Sequence, residues 1–208
     1  MDQSPAEHDP VDTQHAAYAH RLRRLSSRRW KRVLNVQAPY RRYVRRRVSG
    51  STLDLACGIG RLLQALPDGV GVDHNAECVA TCRAEGLRAF TPAEFRRSEF
   101  AVAGRFDTLL AAHVLEHMTL PEAVALVEEY LPFLAPEGRV VMITPQERGY
   151  RSDPTHRTFM DFDTLETLAR RLGLDVVSRD SFPFGRGLGR WFPYNEFVLI
   201  TRRATQRQ

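Results

Sequence analysis

Three clusters have the residue types and spacing to do chemistry. The first is His113-Val114-Leu115-Glu116-His117. Its H-x-x-E-H spacing is that of a zinc site in which two histidines one helical turn apart hold the metal and the glutamate activates water. The second is the run 53–63, LDLACGIGRLL. Gly58 and Gly60 there, with Ala56 nearly as small, let the backbone of a turn come close to a ligand. The third is GVDHN at 71–75, in which Asp73 follows the turn by about one strand. An acid at that place accepts hydrogen bonds from both hydroxyls of a ribose. His156, in RSDPTHRTF, is a further acid–base candidate.

The elements that position these residues decide among the chemistries. Apolar runs predict strands over 51–56, 70–73, 87–90, 106–114 and 138–145. Helical spacing predicts helices over 61–66, 76–86, 121–134 and 162–174, the last with Asp163 as cap and Gly173 as terminator. Two final strands, 175–182 and 195–203, have no helix between them. The run FDTLLAAHV is nearly all apolar, as a strand buried on both faces must be. The order predicts an α/β three-layer sandwich with a Rossmann-like, seven-stranded, mostly parallel sheet, an antiparallel C-terminal hairpin and an N-terminal helical arm. Ligands of such sheets bind beyond the carboxyl ends of the strands, next to the first strand.

That frame reassigns the first cluster. His113 ends a strand and His117 lies in the loop after it, so the two do not meet on one metal as they would on a helix. No residue is assigned as a metal ligand, and the need for a divalent ion stays open. The second cluster departs from G-x-G-x-x-G, which disfavours a pyrophosphate-binding site, and no Gly-Lys-Ser/Thr follows to make a P-loop. A tight strand–helix turn accounts for the glycines alone equally well. Turn, following helix N-terminus and Asp73 together point to a nucleoside.

Charge is unevenly placed. Residues 21–47 hold 12 of the 30 basic residues and no acid. The chain's net charge is +5, so the other 181 residues carry −7. The domain reading is a polar, proline-containing tail over 1–20 without periodicity, a basic helical arm over 21–48 and an α/β domain over 49–208. No apolar run reaches the length of a membrane span. Cys57, Cys78 and Cys82 lack disulfide-framework spacing and the N-terminus lacks a secretory signal, so a reducing cytoplasm is expected.

The segments LDLACGIGRLL, GVDHN, FDTLLAAHVLEHM, LPFLAPEGRVVMITP and LETLARRLGLDVV resemble, in order and spacing, the motifs of class I S-adenosylmethionine-dependent methyltransferases. They are most similar to the small-molecule branch that includes ubiquinone-biosynthesis enzymes. The resemblance covers 51–203 and does not specify a substrate. It implies S-adenosylmethionine as cofactor, with Asp54, Ala56, Gly58 and Gly60 along its methionine part, Asp73 at the ribose and His74 beside the adenine. Pro92 stands where the family often has the acid that binds the adenine amine, so Ala93 and Glu94 take its place. Ala112 and His113 face the methionine moiety. Arg41 is read as a solvated arginine rather than a partner of the cofactor carboxylate.

An oxygen acceptor needs a base, and His117 and then His156 are the candidates. The plainer reading has Glu116 and His117 steadying a loop and His156 bonding backbone. AAHV after the fourth strand is not the Asn/Asp-Pro-Pro-aromatic signature of amino-group methylases, and no Pro-Cys nucleophile of cytosine methylases is present. The three cysteines are read as core, with Cys78 and Cys82 on a helix packing away from the site. Asp153, Asp161 and Asp163 are read as surface acids and a cap, not a magnesium site. The expected acceptor is a small molecule or oligosaccharide, with a sugar hydroxyl preferred because the DP-x-H loop at 153–156 resembles proteins of polysaccharide modification. Trp191, Phe192 and Tyr194 form either a stacking wall or core and dimer contacts, so a homodimer is one option. The alternative function is RNA or other nucleic-acid methylation or binding through the arm.

Overall fold

The computed structural model describes residues 38–204. The expected tail and most of the basic arm lie outside the described residues. The end of the arm is helix α1 (Ala38–Arg47). Its Val44 is fully buried and packs, with Tyr40, Tyr43 and Val48, against one face of the sheet. Arg42, Arg45 and Arg46 lie on the exposed side.

The strands are β1 (Ser51–Leu55), β2 (Asp68–Val72), β3 (Ala89–Phe90), β4 (Phe106–Ala112), β5 (Leu134–Pro145), β6 (Leu174–Phe182) and β7 (Glu196–Arg203). They form one sheet in the order β3-β2-β1-β4-β5-β7-β6. Pairing is parallel from β3 through β5, and β7 runs antiparallel to both β5 and β6. The expected Rossmann-like sheet with an antiparallel C-terminal hairpin is therefore present.

Strand periodicity splits the core into two layers. Leu53, Leu109, Ala111, Val140, Met142, Phe197 and Leu199 face α4 (Leu120–Tyr130) and α6 (Phe162–Arg171). Their neighbours Leu110, Val141, Ile143, Val198 and Ile200 face α1 and α2 (Ala76–Ala84). Both faces are thus covered, as a mostly parallel sheet requires.

Four local expectations change. Residues 61–66 make turns and a short 3-10 helix, Leu63–Ala65, rather than an α-helix. Leu63 and Leu66 are both buried, and a three-residue turn puts such a pair on one side before Pro67 ends the segment. The third expected helix stops at Tyr130 and passes into a 3-10 turn, Leu131–Phe133, because Pro132 has no amide hydrogen to continue the α-helical ladder, and β5 begins early, at Leu134. The cap of α6 is Asp161, whose Oδ1 accepts from the Thr164 amide at 3.0 Å; Asp163 sits inside the first turn. Two one-turn helices were not anticipated, α3 (Pro92–Phe95) and α5 (Glu147–Tyr150).

Candidate active site

The turn after β1 is built on left-handed backbone at Ala56 (φ 55°), Gly58 (55°) and Gly60 (77°). Glycine takes this conformation freely; at alanine it is strained, and such strain concentrates at functional sites. A Cβ on Gly60 would come within 2.5 Å of Leu87 Cδ1 and 3.0 Å of Cys82 Sγ. Cys82 Sγ also donates to the Gly58 carbonyl at 3.3 Å. So α2 packs directly beneath the turn, through Cys82, and not away from the site. The contact arises because left-handed turns fold the loop back over that helix.

Asp73 directly follows β2 and fastens the turn to it. Its Oδ2 accepts from the Gly58 amide and its Oδ1 from the Asn75 amide, each at 2.8 Å. Asp54, in β1, is 3% exposed. Burial, helped by the nearby Asp73 charge, raises its pKa to about 8. Two carboxyl groups thus flank the glycine turn, Asp73 bonded to its backbone and Asp54 buried beside it. His74 stands beside them, its Nδ1 3.8 Å from Asp73 Oδ1 and its side chain 43% exposed.

The adenine-side candidates lie on α3. Glu94 Oε2 accepts from the Thr91 amide and hydroxyl, each at 2.8 Å, and closes a capping box. Arg83 grips the same carboxylate with both guanidinium nitrogens, at 3.2 and 3.0 Å. The Arg83 bonds, then those from Thr91, lower the Glu94 pKa to about 2. Ala93 is exposed.

At the end of β4, His113 also has left-handed backbone, φ 57°. Its Nε2 lies 3.0 Å from both the Tyr40 hydroxyl and Glu196 Oε1, and its Nδ1 lies 3.5 Å from Glu116 Oε1. Desolvation works against its charge, but Glu196 and Glu116 outweigh it, and its pKa stands well above the ordinary value. A 3-10 turn, Leu115–His117, follows and directs Glu116 inward, where it is 1% exposed. The loop after β5 folds over it: the Arg157 and Thr158 amides donate to the Glu116 carbonyl at 2.8 and 3.1 Å. This loop brings His156 to His117, with ring centroids 4.8 Å apart. His117 Nδ1 faces the Thr155 carbonyl at 3.3 Å and the Thr155 hydroxyl at 3.1 Å. His156 Nδ1 donates to the Tyr150 carbonyl at 2.7 Å. Burial lowers the His117 pKa, which favours the neutral imidazole.

A family model described as a methyltransferase domain matches residues 18–179. The chain is a class I S-adenosylmethionine-dependent methyltransferase. Solved structures share its fold. A methyltransferase from Haloferax volcanii, in complex with the Trm112 methyltransferase activator, is 15% identical, with a TM-score of 0.66 over 95% of this chain and 99% of that one. A SAM-dependent methyltransferase from Archaeoglobus fulgidus is 18% identical, at 0.59 over 81% and 93%. The magnesium protoporphyrin IX methyltransferase of Synechocystis with bound S-adenosylmethionine is 15% identical, at 0.59 over 92% and 93%. No curated protein matches the sequence.

The methyltransferase gathers its sequence candidates into two groups. Asp54, Ala56, Gly58, Gly60, Asp73 and His74 lie together at the ends of β1 and β2, and their shape and charge fit the cationic nucleoside cofactor. Ala112, His113, His117 and His156 lie at the ends of β4 and β5. Arg41 reaches Gln64 Oε1 at 3.5 Å, on the near side of the first group. Asp153 shapes the loop by accepting from the Thr155 amide and hydroxyl, at 3.0 and 2.7 Å. Sequence reasoning missed Tyr40 and Glu196 as partners of His113, because α1 and the start of β7 reach that side chain only once the chain is folded. No helix among the described residues is long and apolar enough to cross a membrane.

Proposed function

We propose that the methyltransferase methylates a hydroxyl of a small-molecule or glycan acceptor, with a sugar the preferred class. The cofactor supplies a methyl group already activated on a sulfonium. Asp54 and the Ala56–Gly60 turn hold its methionine part, Ala112 and His113 border that part, and Asp73 takes the ribose. His74 lies beside the adenine, and α3, through Ala93 and Glu94, forms the adenine edge.

One observation supports the hydroxyl acceptor: two imidazoles on the far side of His113 keep Nδ1 turned to carbonyl oxygens. Each therefore presents the lone pair of Nε2. As the O–CH3 bond forms and the S–CH3 bond breaks, the hydroxyl proton leaves to such a lone pair. Proton transfer of this kind contributes about 10²–10⁴-fold; the rest is alignment of oxygen, methyl and sulfur. Loop 183–195 offers the acceptor a wall. Trp191 and Tyr194 are 79% and 71% exposed, and Pro193 packs against Gly149 of α5, on the loop that carries His156.

The test is methyl transfer from S-adenosylmethionine to panels of sugars, phenols and RNA. His117→Ala and His156→Ala should keep the melting-temperature rise that the cofactor gives and lose roughly 10²-fold or more in turnover. Wild-type turnover in both variants would remove the base role. A nucleic-acid acceptor is the second reading, supported by the exposed arginines 42, 45 and 46 on α1; transfer to RNA alone in the same panel would establish it.

A further inference from the structure

Glu116 is anomalous. A carboxylate that is 1% exposed needs donors or a cation. Neither of its oxygens has a hydrogen-bond partner among the described residues. The imidazoles around it stand off, His113 Nδ1 at 3.5 Å and His156 Nε2 at 4.0 Å. The one positive group beside it, the His113 imidazolium, is closer to Glu196, at 3.0 Å, and leaves Glu116 without a full partner.

His117, in the turn after β4, and His156, in the loop after β5, stand together beside it. One donor atom each from Glu116, His117 and His156 lies within 4.8 Å of the other two. A metal about 2.0–2.2 Å from each donor bridges atoms up to roughly 4 Å apart, so small side-chain rotations close the set. Both imidazoles turn Nδ1 to a backbone carbonyl, at 3.3 Å for His117 and 2.7 Å for His156. That outer bond is what fixes the tautomer and orientation of a metal-ligating histidine. His113 is not in the group.

We infer that Glu116, His117 and His156 bind one divalent transition-metal ion. Two imidazoles and one carboxylate suit zinc, iron(II), manganese(II) or cobalt(II), and not calcium or magnesium, which take oxygen ligands. Three protein ligands leave coordination positions open. Resting on the hydroxyl-acceptor reading above, the open positions take an oxygen of the acceptor, which the ion's charge makes more acidic. With the ion bound, the two Nε2 lone pairs no longer take the proton as in the metal-free step above; the ion makes the hydroxyl acidic and its proton leaves to solvent.

The test uses the tag-free full chain, stripped with a chelator and titrated with Co²⁺ and Zn²⁺. We expect one tight equivalent, visible cobalt absorption of the bound ion, and competition by zinc. Glu116→Gln, His117→Ala and His156→Ala should each weaken binding about tenfold or more, while His113→Ala keeps it. Folding of each variant is checked by the cofactor-induced rise in melting temperature. Cobalt binding that is equally tight in all three folded variants would overturn the site, as would a wild-type chain that binds no ion. If the stripped enzyme methylates a hydroxyl at the full rate, the metal inference fails and the acceptor reading survives. If the ion binds and no hydroxyl in the panel is methylated, the acceptor reading fails and the site survives.

Discussion

At the scale of single residues, the candidate site holds groups that cost stability. Asp54 is the clearest. Its folded pKa of about 8 lies above the ordinary carboxyl value, so the folded state binds a proton that the unfolded state has released. The cost is absent near pH 4, grows as pH rises and is complete above about 8. Asp54→Asn should therefore melt higher than wild type at pH 8, and the gap should close toward pH 4. The same variant should show a smaller cofactor-induced shift if Asp54 holds the methionine part as proposed, because the carboxyl is gone. Thermal melts across this pH range, with and without S-adenosylmethionine, measure both effects; an unchanged apo melting temperature at pH 8 would deny that the buried carboxyl is ionised there. Ala56 and His113 follow the same logic in their backbones, each left-handed without being glycine.

At the scale of elements, α3 shows how a helix of one turn is kept in place. Its Thr91–Glu94 box and the Arg83 bridge hold the edge where the adenine is proposed to lie. Glu94 has a folded pKa of about 2, below its ordinary value. Its contribution is present above about pH 4.5 and is lost as pH falls toward 2. Glu94→Gln should cost no more than about 1 kcal/mol at pH 7, since the carboxylate is over a third exposed and the ion pair is screened. The loss should shrink with acid, and cofactor affinity should hold; an affinity loss without a stability loss would show that the carboxylate meets the cofactor directly.

The elements also show what was legible in the sequence. Strands β1, β4 and β5 were readable because each is an apolar run buried on both faces, and β2 and its acid because strand and turn follow each other closely. The start of α3 was readable and overlooked: T-P-A-E is a capping-box pattern. The 3-10 turn at Leu63–Ala65 was not, because two apolar residues at i and i+3, Leu63 and Leu66, fit either helix type. The Asp161-Phe162-Asp163 stretch offers two caps at equal spacing from apolar partners, and only the backbone chooses. The Glu116–His117–His156 cluster was beyond reach. Two members are adjacent, but the third arrives on a loop whose path no local period encodes.

At the scale of the whole molecule, α1 works as a structural part of the domain. Val44 has no exposure and lies in the layer with Leu110, Val141, Ile143 and Val198. Tyr43 stacks on Phe182 at 4.1 Å, and Arg47 pairs with Asp180, tying α1 to β6. Val44→Ala should destabilise by about 2 kcal/mol, from two buried methyl groups at about 0.8 kcal/mol each and the cavity they leave. Chemical denaturation is the measure, and a change below 0.5 kcal/mol, roughly the level of surface substitutions, would mean α1 is not part of the core. Tyr40, on the same helix, touches His113, so the cost of loosening α1 extends to the site.

The placement of β7 between β5 and β6 has a consequence for synthesis. The chain makes β6 first, yet β6 has no strand to join until β7 arrives beside β5. A nascent chain that has emerged only through Phe182 therefore presents β5 as an open edge and β6 as an unpaired ribbon, both prone to wrong partners. The sheet is finished from the inside outward, and its last strand to be made is the one that lets its outermost strand belong.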